Sequence, residues 1–562
     1  MGCGRFFMAL VLAFAMVGNA AIGARAQPAT PKEYDQQFLV PGSWFHGVHG
    51  LAFNKDDQLF AGSVIGQTLY RVQVDSGEVD RVIDPPIGMA DDIAFAEDGT
   101  MAWTAFLIGK VYIRRPNGKT VEVANGMAGP NSLAFGKDGR LFVSEVFIGD
   151  ALYEIDLKNA DKPDFKPFPR TELRRIAEKL GGLNGFEIHK DDGFLYGPLW
   201  FKGQIVKINL ETGNTEVIAE GFKTPAAANI DPTNRDNVYV VDTGTGGIWS
   251  VSLTSKAKKL VASMKPGLDN LAFDSRGRLF VTSMTDNGIY LVDKQTGAHR
   301  TVVEGKLAVP GDLAITSENG KDTVHVADTF SYRTVDGDTG AVRDVLRVHG
   351  ETHNYPLGIS VGPRHVLLTS WFSNTVEKVD RKTGKLVATL GEFAAPSDAL
   401  EVADGTIYVV EIASSNLVKV SPDGKERSIV MKDLRGPVAM ARGKDDLIYV
   451  TEIAAGAVAE INVATGARRV VADGLIGPEG MAIGPDGRLF VAEVGQKRVV
   501  AIDPATGAKT VIASNLDIGL APYPGGPPAL VMTGVTVGAG GVVYVSSDIR
   551  NALYRLTPPV IP

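Results

Sequence analysis

The stretch Gly129–Glu145, GPNSLAFGKDGRLFVSE, decides how the rest of the chain is read. It holds a short apolar segment (SLAF), the pair Asp138-Gly139, and a second apolar segment that ends in an acid (RLFVSE). Asp-Gly supplies the positive φ of a tight hairpin turn, so the two apolar segments read as paired strands. The phrase returns as GPEGMAIGPDGRLFVAE over Gly477–Glu493 and as GLDNLAFDSRGRLFVTS over Gly267–Ser283. Weaker copies begin near Leu51, Ile93, Phe186, Ala228, Leu313, Ile359, Ala399, Met440 and Val535.

With the first three, this makes twelve copies at a spacing of roughly 40–45 residues, the period of a four-stranded propeller blade. A second recurrent turn, Thr-Gly, stands at Thr212-Gly213, Thr296-Gly297, Thr339-Gly340, Thr383-Gly384, Thr465-Gly466 and Thr506-Gly507. Each unit therefore reads strand, Asp-Gly turn, strand, loop, strand, Thr-Gly turn, strand. The expected fold is all-β. Twelve blades in one ring would enclose a wide, wet hole, so the expectation is two six-bladed β-propellers in tandem. The first covers about residues 36–305 and the second about 306–562, with a boundary near Val309-Pro310 set by counting. The outer strand of each ring is expected to come partly from the other end of that ring's own sequence, which leaves no free edge.

The chain has 562 residues, net charge −8 and 44% hydrophobic residues, enough for two cores. Its charges are interspersed with no basic stripe, which argues against a nucleic-acid partner. Residues 1–26 read as an export signal. Arg5 precedes the apolar run Phe6–Val17, and Ala24-Arg25-Ala26 offers a cleavage site before Gln27. That run is too short to span a bilayer, and nothing later is longer. Cys3, the single cysteine, leaves with the signal, so no thiolate or disulfide chemistry is available to the mature chain. A periplasmic or secreted protein follows.

Two spacings break the period. The segment TELRRIAEKLGG, 171–182, reads as a helix capped by Thr171 and ended by Gly181. The Pro/Gly-rich LDIGLAPYPGGPPALVM, 516–532, reads as irregular. Both belong over a channel mouth, the first equally readable as a lid or as decoration, the second as decoration.

The residue two before each inner-strand apolar position points into the channel mouth. In the first ring these are His49, Asp91, Asn131, Asn184, Ala226 and Asp269; in the second, Gly311, Leu357, Ser397, Val438, Glu479 and Thr533. Five polar residues in one ring against a mostly apolar or small set in the other place the site in the first ring. Asp91, Asn131, Asn184 and Asp269 are the candidate metal ligands, since a hard cation takes several oxygens. His49 and Asp91 are candidate catalytic bases, and Asn131 and His49 candidate substrate contacts. The alternative is that such Asn and Asp residues bond local backbone. Glu145, Asp242, Asp328, Glu411, Glu452 and Glu493 recur in both rings and read as structural. His349 and His353, in VHGETHNYP, make half a zinc site and read as a surface loop. Phe147, Trp371 and Phe372 fall in second-to-third-strand loops on the mouth face, positions that can line a pocket.

GPNSLAFGKDGRLFVSE and GLNGFEIHKDDGFLYGPL (182–199) resemble the gluconolactonase/senescence-marker-protein lactonase family and the related NHL-repeat propellers. The resemblance implies a small-molecule substrate and one divalent ion on the axis of a six-bladed ring, calcium first, with zinc or magnesium as alternatives. Carried over by position, Asn131 matches the substrate-contacting Asn and Asn184 the metal-binding Asn. The family's two acidic ligands are replaced by His49 and Ala226, with Asp91 and Asp269 as possible substitutes. His49-Gly50-Leu51 also resembles the inner strands of amidating lyases and streptogramin lyases. Three readings follow: a metal-dependent lactone or ester hydrolase, a non-catalytic binding propeller, and a propeller lyase.

Overall fold

The computed structural model describes residues 32–350 and 352–560. The export segment, with Cys3 and Ala24–Ala26, lies outside the described residues. Among the described residues, those from 33 onward form one compact unit. It is built from twelve sheets of the propeller-blade kind, each with an antiparallel run of four strands, whose main strands span 51–83, 90–125, 130–178, 187–220, 225–263, 268–303, 310–347, 358–390, 396–431, 437–472, 478–513 and 535–557. Asp138-Gly139 makes the expected turn between Pro130–Phe135 and Leu141–Glu145, with Gly139 at φ 78°. Leu141–Glu145 is buried along its whole length, because each sheet is covered on both faces by its neighbours. That explains why polar and apolar residues alternate so loosely in the sequence.

The inner strands of the leading six sheets touch in order, and the first, Leu51–Phe53, also touches the sixth, Leu268–Phe273. The trailing six repeat this, Pro310–Glu318 touching Val535–Val537. Shared cores accompany both closures. Leu51 and Leu59 pack with Phe280 and Ile289, and Leu313 and Val324 with Tyr544 and Leu553.

The closing strand differs from expectation. Asp35–Val40, counted by the repeat into the first ring, pairs antiparallel with Ala552–Thr557 as the outer strand of the last sheet. All six leading sheets are built without a strand borrowed from elsewhere in the chain to complete their four. The leading six are thus threaded between the first strand and the remainder of the trailing six. The expected helix at 171–182 is also corrected. Arg174–Glu178 is the outer strand of the third sheet, and Phe168–Pro169 adds in parallel to Thr120–Asn125 of the second. Arg174–Glu178 therefore lies along an outer edge, and residues 179–182 lead back from it to the fourth sheet, with Gly181 N and Gly182 N bonding Asp150. The segment 516–532 is irregular as expected but is not decoration. Leu530 and Val531 are buried with Met284, Phe330 and Leu357, and Gln67 Nε2 donates to Ala521 O at 2.7 Å.

The two halves are further joined by charge. Arg347 donates to Asp286 (2.8 and 2.9 Å), to Asp344 (2.6 Å) and to Pro266 O (2.8 Å). Buried Arg333 reaches Asp328, Asp344 and the carbonyls of Thr285 and Lys306. The recurrent acids bond backbone N–H groups of the loop before their own inner strand: Glu145 with Ala128, Asp242 with Thr224, Glu411 with Ala394, Glu452 with Arg435 and Glu493 with Ile476. Asp328 does the same with Ala308 and Val309. Their role is structural.

Candidate functional site

A β-bulge at the start of the inner strand aims the site residues. The ladder slips between Ala90 and Ile93, between Pro130 and Leu133, and between Leu268 and Leu271. A bulge breaks the strict alternation of sides, so two adjacent residues escape the normal pleat. A second-strand hydroxyl accepts the amide each bulge frees: Thr104 Oγ1 from Asp92 N (3.1 Å), Ser144 Oγ from Ser132 N (3.2 Å), Thr282 Oγ1 from Asn270 N (2.8 Å). Thr104 and Thr282 then donate to the carbonyls of Asn131 and His49 in the neighbouring sheet. The Ser or Thr near the end of phrases such as RLFVSE and RLFVTS was the available sequence signal for this device.

Four of the expected residues come together. His49 Nδ1 is 3.1 Å from Asp269 Oδ2 and 3.6 Å from Asp91 Oδ1, and Asn131 Nδ2 donates to Asp91 Oδ2. His49 Nε2 is buried and has no hydrogen-bond partner. Burial alone would lower the His49 pKa, but the charge and hydrogen bond of Asp269 and the charge of Asp91 outweigh it and raise it. Burial pushes the Asp91 carboxyl well above the usual range against the pull of His49, with Asp269 and Asp92 adding to the rise. One layer deeper lies a set that sequence reading missed. Asp92 accepts from Ser132 Oγ (2.6 Å), Asn270 Nδ2 (3.0 Å) and Ile93 N (2.9 Å), and burial raises its pKa to about 6. This layer ties three sheets together beneath the mouth.

Asn184 is not part of the hydrogen-bonded group; its Oδ1 accepts Gly185 N at 2.9 Å. The fourth sheet's inner strand is only Glu187–Ile188, and Gly185 bonds the backbone of the fifth sheet instead. The position two before Phe186 therefore lacks the bulge that aims Asp91. Ala226 is buried and offers no ligand.

His49 and Asp91 form one wall of a cavity of about 220 Å³. Phe106 and Phe147 line it from the leading six sheets; Phe330, Tyr355, Trp371 and Leu530 line it from the trailing six. The cavity thus lies between the two mouths. Phe147, Trp371 and Phe372 line it as their loop positions implied. Phe147 holds φ 70°, a conformation costly for a bulky residue, and its ring packs on Trp200 at 5.3 Å. His349 and His353 are not a surface loop. His349 lines the cavity and bonds the Tyr355 hydroxyl at 3.0 Å; His353 is buried against Glu377 at 2.6 Å. Burial lowers the His349 pKa to about 4, so its ring is neutral at neutral pH. Burial, with the charges of Asp269 and Asp91, pushes the Tyr355 phenol above its ordinary value. An open depression of about 580 Å³ on the outer edge of the sixth sheet, by Asp293 and His299, is remote from this cluster.

The ring nitrogen and the two carboxylates lie within 4.8 Å of one another. Ligands of one ion with bonds of about 2.1 Å are separated by comparable distances, so the set fits a divalent metal.

A family model, strictosidine synthase-like, N-terminal, matches residues 465–494 only. No curated protein matches the chain. Among solved structures, a catalytically inactive variant of virginiamycin B lyase from Staphylococcus aureus with quinupristin is 16% identical, over 52% of this chain and 96% of that one, at a TM-score of 0.36. The extracellular domain of a putative one-component system from B. thetaiotaomicron is 10% identical, over 94% and 84%, at a TM-score of 0.31. Among the described residues no helix is long and apolar enough to cross a membrane.

Proposed function

We propose that the chain is a tandem of two six-bladed propellers and an exported hydrolase of esters or lactones, working at the mouth of the first propeller. One observation carries this reading. His49 is held at Nδ1 by Asp269 while its Nε2 is buried without a partner, and the residue lines a largely aromatic cavity. A carboxylate on Nδ1–H fixes the tautomer in which Nε2 is a base. Water bound between Nε2 and a substrate carbonyl gives its proton to Nε2 as its oxygen bonds to the carbonyl carbon. The same proton then passes to the leaving oxygen as the C–O bond breaks, yielding acid and alcohol. Asp91, kept in place by Asn131, lies 3.6 Å from Nδ1 of the same ring.

A divalent ion is the alternative occupant of the set Nδ1, Asp91 and Asp269. It would replace the Nδ1 proton and leave the ring proton on Nε2, so it does not combine with the base role of His49. One imidazole with two carboxylates suits zinc better than calcium, which gathers six or more oxygens. When bound, such an ion would supply Lewis acidity. Asn184 enters this reading only as a strand-start residue. The resemblance to lactonases supports the choice of bond. A lyase using the same base is distinguished by product mass, because no water is added. The test is turnover of phenyl acetate and a panel of lactones, followed by proton release, for wild type and His49→Ala. Equal rates in the two proteins would overturn the assignment.

A further inference from the structure

Nothing above gives the second propeller a chemical role, yet it contributes half of the cavity wall. We propose that Tyr355 touches the substrate, its phenol O–H hydrogen-bonding the carbonyl oxygen as that oxygen gains charge. This rests on the hydrolase reading and adds that the first propeller alone is an incomplete site.

Three observations carry it. Tyr355 faces the same cavity as His49 and Asp91. Phe330 packs edge-on to both, at 5.5 Å from the His49 ring and 5.9 Å from the Tyr355 ring, so the base and the phenol flank one aromatic wall. That contact is built in. Gly47, two residues before His49, holds φ 69° and has no room for a Cβ, which would overlap the Phe330 ring. Finally, the phenol is oriented. His349 Nε2 lies 3.0 Å from its oxygen. In the tautomer of His349 that carries its proton on Nε2, the phenol oxygen is the acceptor and its own hydrogen is free to point into the cavity.

In the step itself, the water oxygen bonds to the carbonyl carbon, the π pair moves onto the carbonyl oxygen, and Tyr355 donates to that oxygen without giving up its proton. Collapse re-forms the C=O and expels the alcohol oxygen, protonated from His49. A donor aimed at the developing charge raises kcat more than it lowers KM. The aromatic walls favour an ester or lactone with a phenyl-sized apolar body.

The probe is benzyl trifluoromethyl ketone, which hydrates to a neutral tetrahedral diol and binds without turnover. Calorimetry on the full chain should show Tyr355→Phe binding it at least about tenfold more weakly than wild type. With phenyl acetate, the same variant should lose kcat and keep KM. The phenyl ring retains the contacts with Phe330 and Phe372, so the variant should stay folded, with only the loss of the His349 hydrogen bond to lower its melting temperature. His349→Asn should weaken ketone binding in the same direction but less. If Tyr355→Phe binds within about twofold of wild type while His49→Ala does not, the Tyr355 assignment falls and the hydrolase reading stands. If wild type fails to bind the ketone, or His49→Ala binds it as well as wild type, both fall.

Discussion

Both halves of the molecule bury carboxylates at the starts of their inner strands, but engage them differently. In the trailing half, Asp398 accepts Ala399 N and Met440 N at 2.7 Å each, Asp312 accepts Ile359 N at 3.0 Å, and Glu479 accepts Thr533 N at 2.7 Å. Burial raises Asp312 to about 7 and Glu479 to about 8, yet each is bonded to backbone amides and builds the ring. In the leading half the deeper residue, Asp92, does this work, while Asp91 and Asp269 turn to His49 and Asp91 also lines the cavity. Residue type and strand position alone do not separate a site from a brace. The number of backbone N–H groups a carboxylate satisfies does.

The sharpest way to break this contrast is to exchange the roles. His49→Ala should lower hydrolysis about a thousandfold with little change in melting temperature. Glu479→Gln, one of the trailing half's mouth positions, should leave the rate per folded molecule unchanged. A comparable loss in both would erase the distinction between the two mouths.

Stability should show the reverse pattern. Arg347→Ala strands Asp286 and Asp344 and removes a bond to Pro266 O, so it should cost about 3 kcal/mol in denaturant unfolding, because each partner stays mostly buried. Asp398→Ala leaves two buried amides unpaired and should cost about 2 kcal/mol, with hydrolysis intact. Insensitivity of the unfolding midpoint to either change would mean that the trailing acids are not braces.

The repeat was readable because each blade carries its own turn chemistry, Asp138-Gly139 within one hairpin and Thr-Gly in the next. What closes the last sheet was not readable. Asp35–Val40 pairs with a strand more than five hundred positions away, and nothing local to DQQFLV names that partner. RRIAE at 174–178 is made of good helix formers, but the open edge of the third sheet outweighs a propensity worth only tenths of a kcal/mol per residue. Of the mouth residues, counting found His49, Asp91, Asn131 and Asp269, which meet, and also Asn184, which does not join them. Counting could not know that the fourth sheet's inner strand shrinks to two residues. Tyr355 and Phe330 were missed because they line the cavity from the trailing six sheets, a relation to His49 that no periodicity within one half encodes.

The junction between the halves offers the smallest and most selective probe. His46 lies just before the first inner strand, and its Nε2 bonds Asp548 O of the last sheet at 2.6 Å. Its pKa is lowered from 6.5 to about 4, chiefly by burial and secondarily by the Arg81 charge, against the backbone carbonyls of Asp548 and Ile549 that raise it. The unfolded chain therefore binds a proton between these values that the folded chain refuses. Stability should fall as pH drops below 6.5, and the loss should level off once pH passes below about 4. At about pH 5.5 this one group should account for about 1 kcal/mol. His46→Gln keeps a donor for Asp548 O and removes the titration, so its stability curve should be flatter than wild type over this window. Hydrolysis at neutral pH should not change, since His46 does not line the cavity. Parallel curves for the two proteins would show that the junction does not sense protons, and that the closing strand, rather than this contact, holds the halves in register.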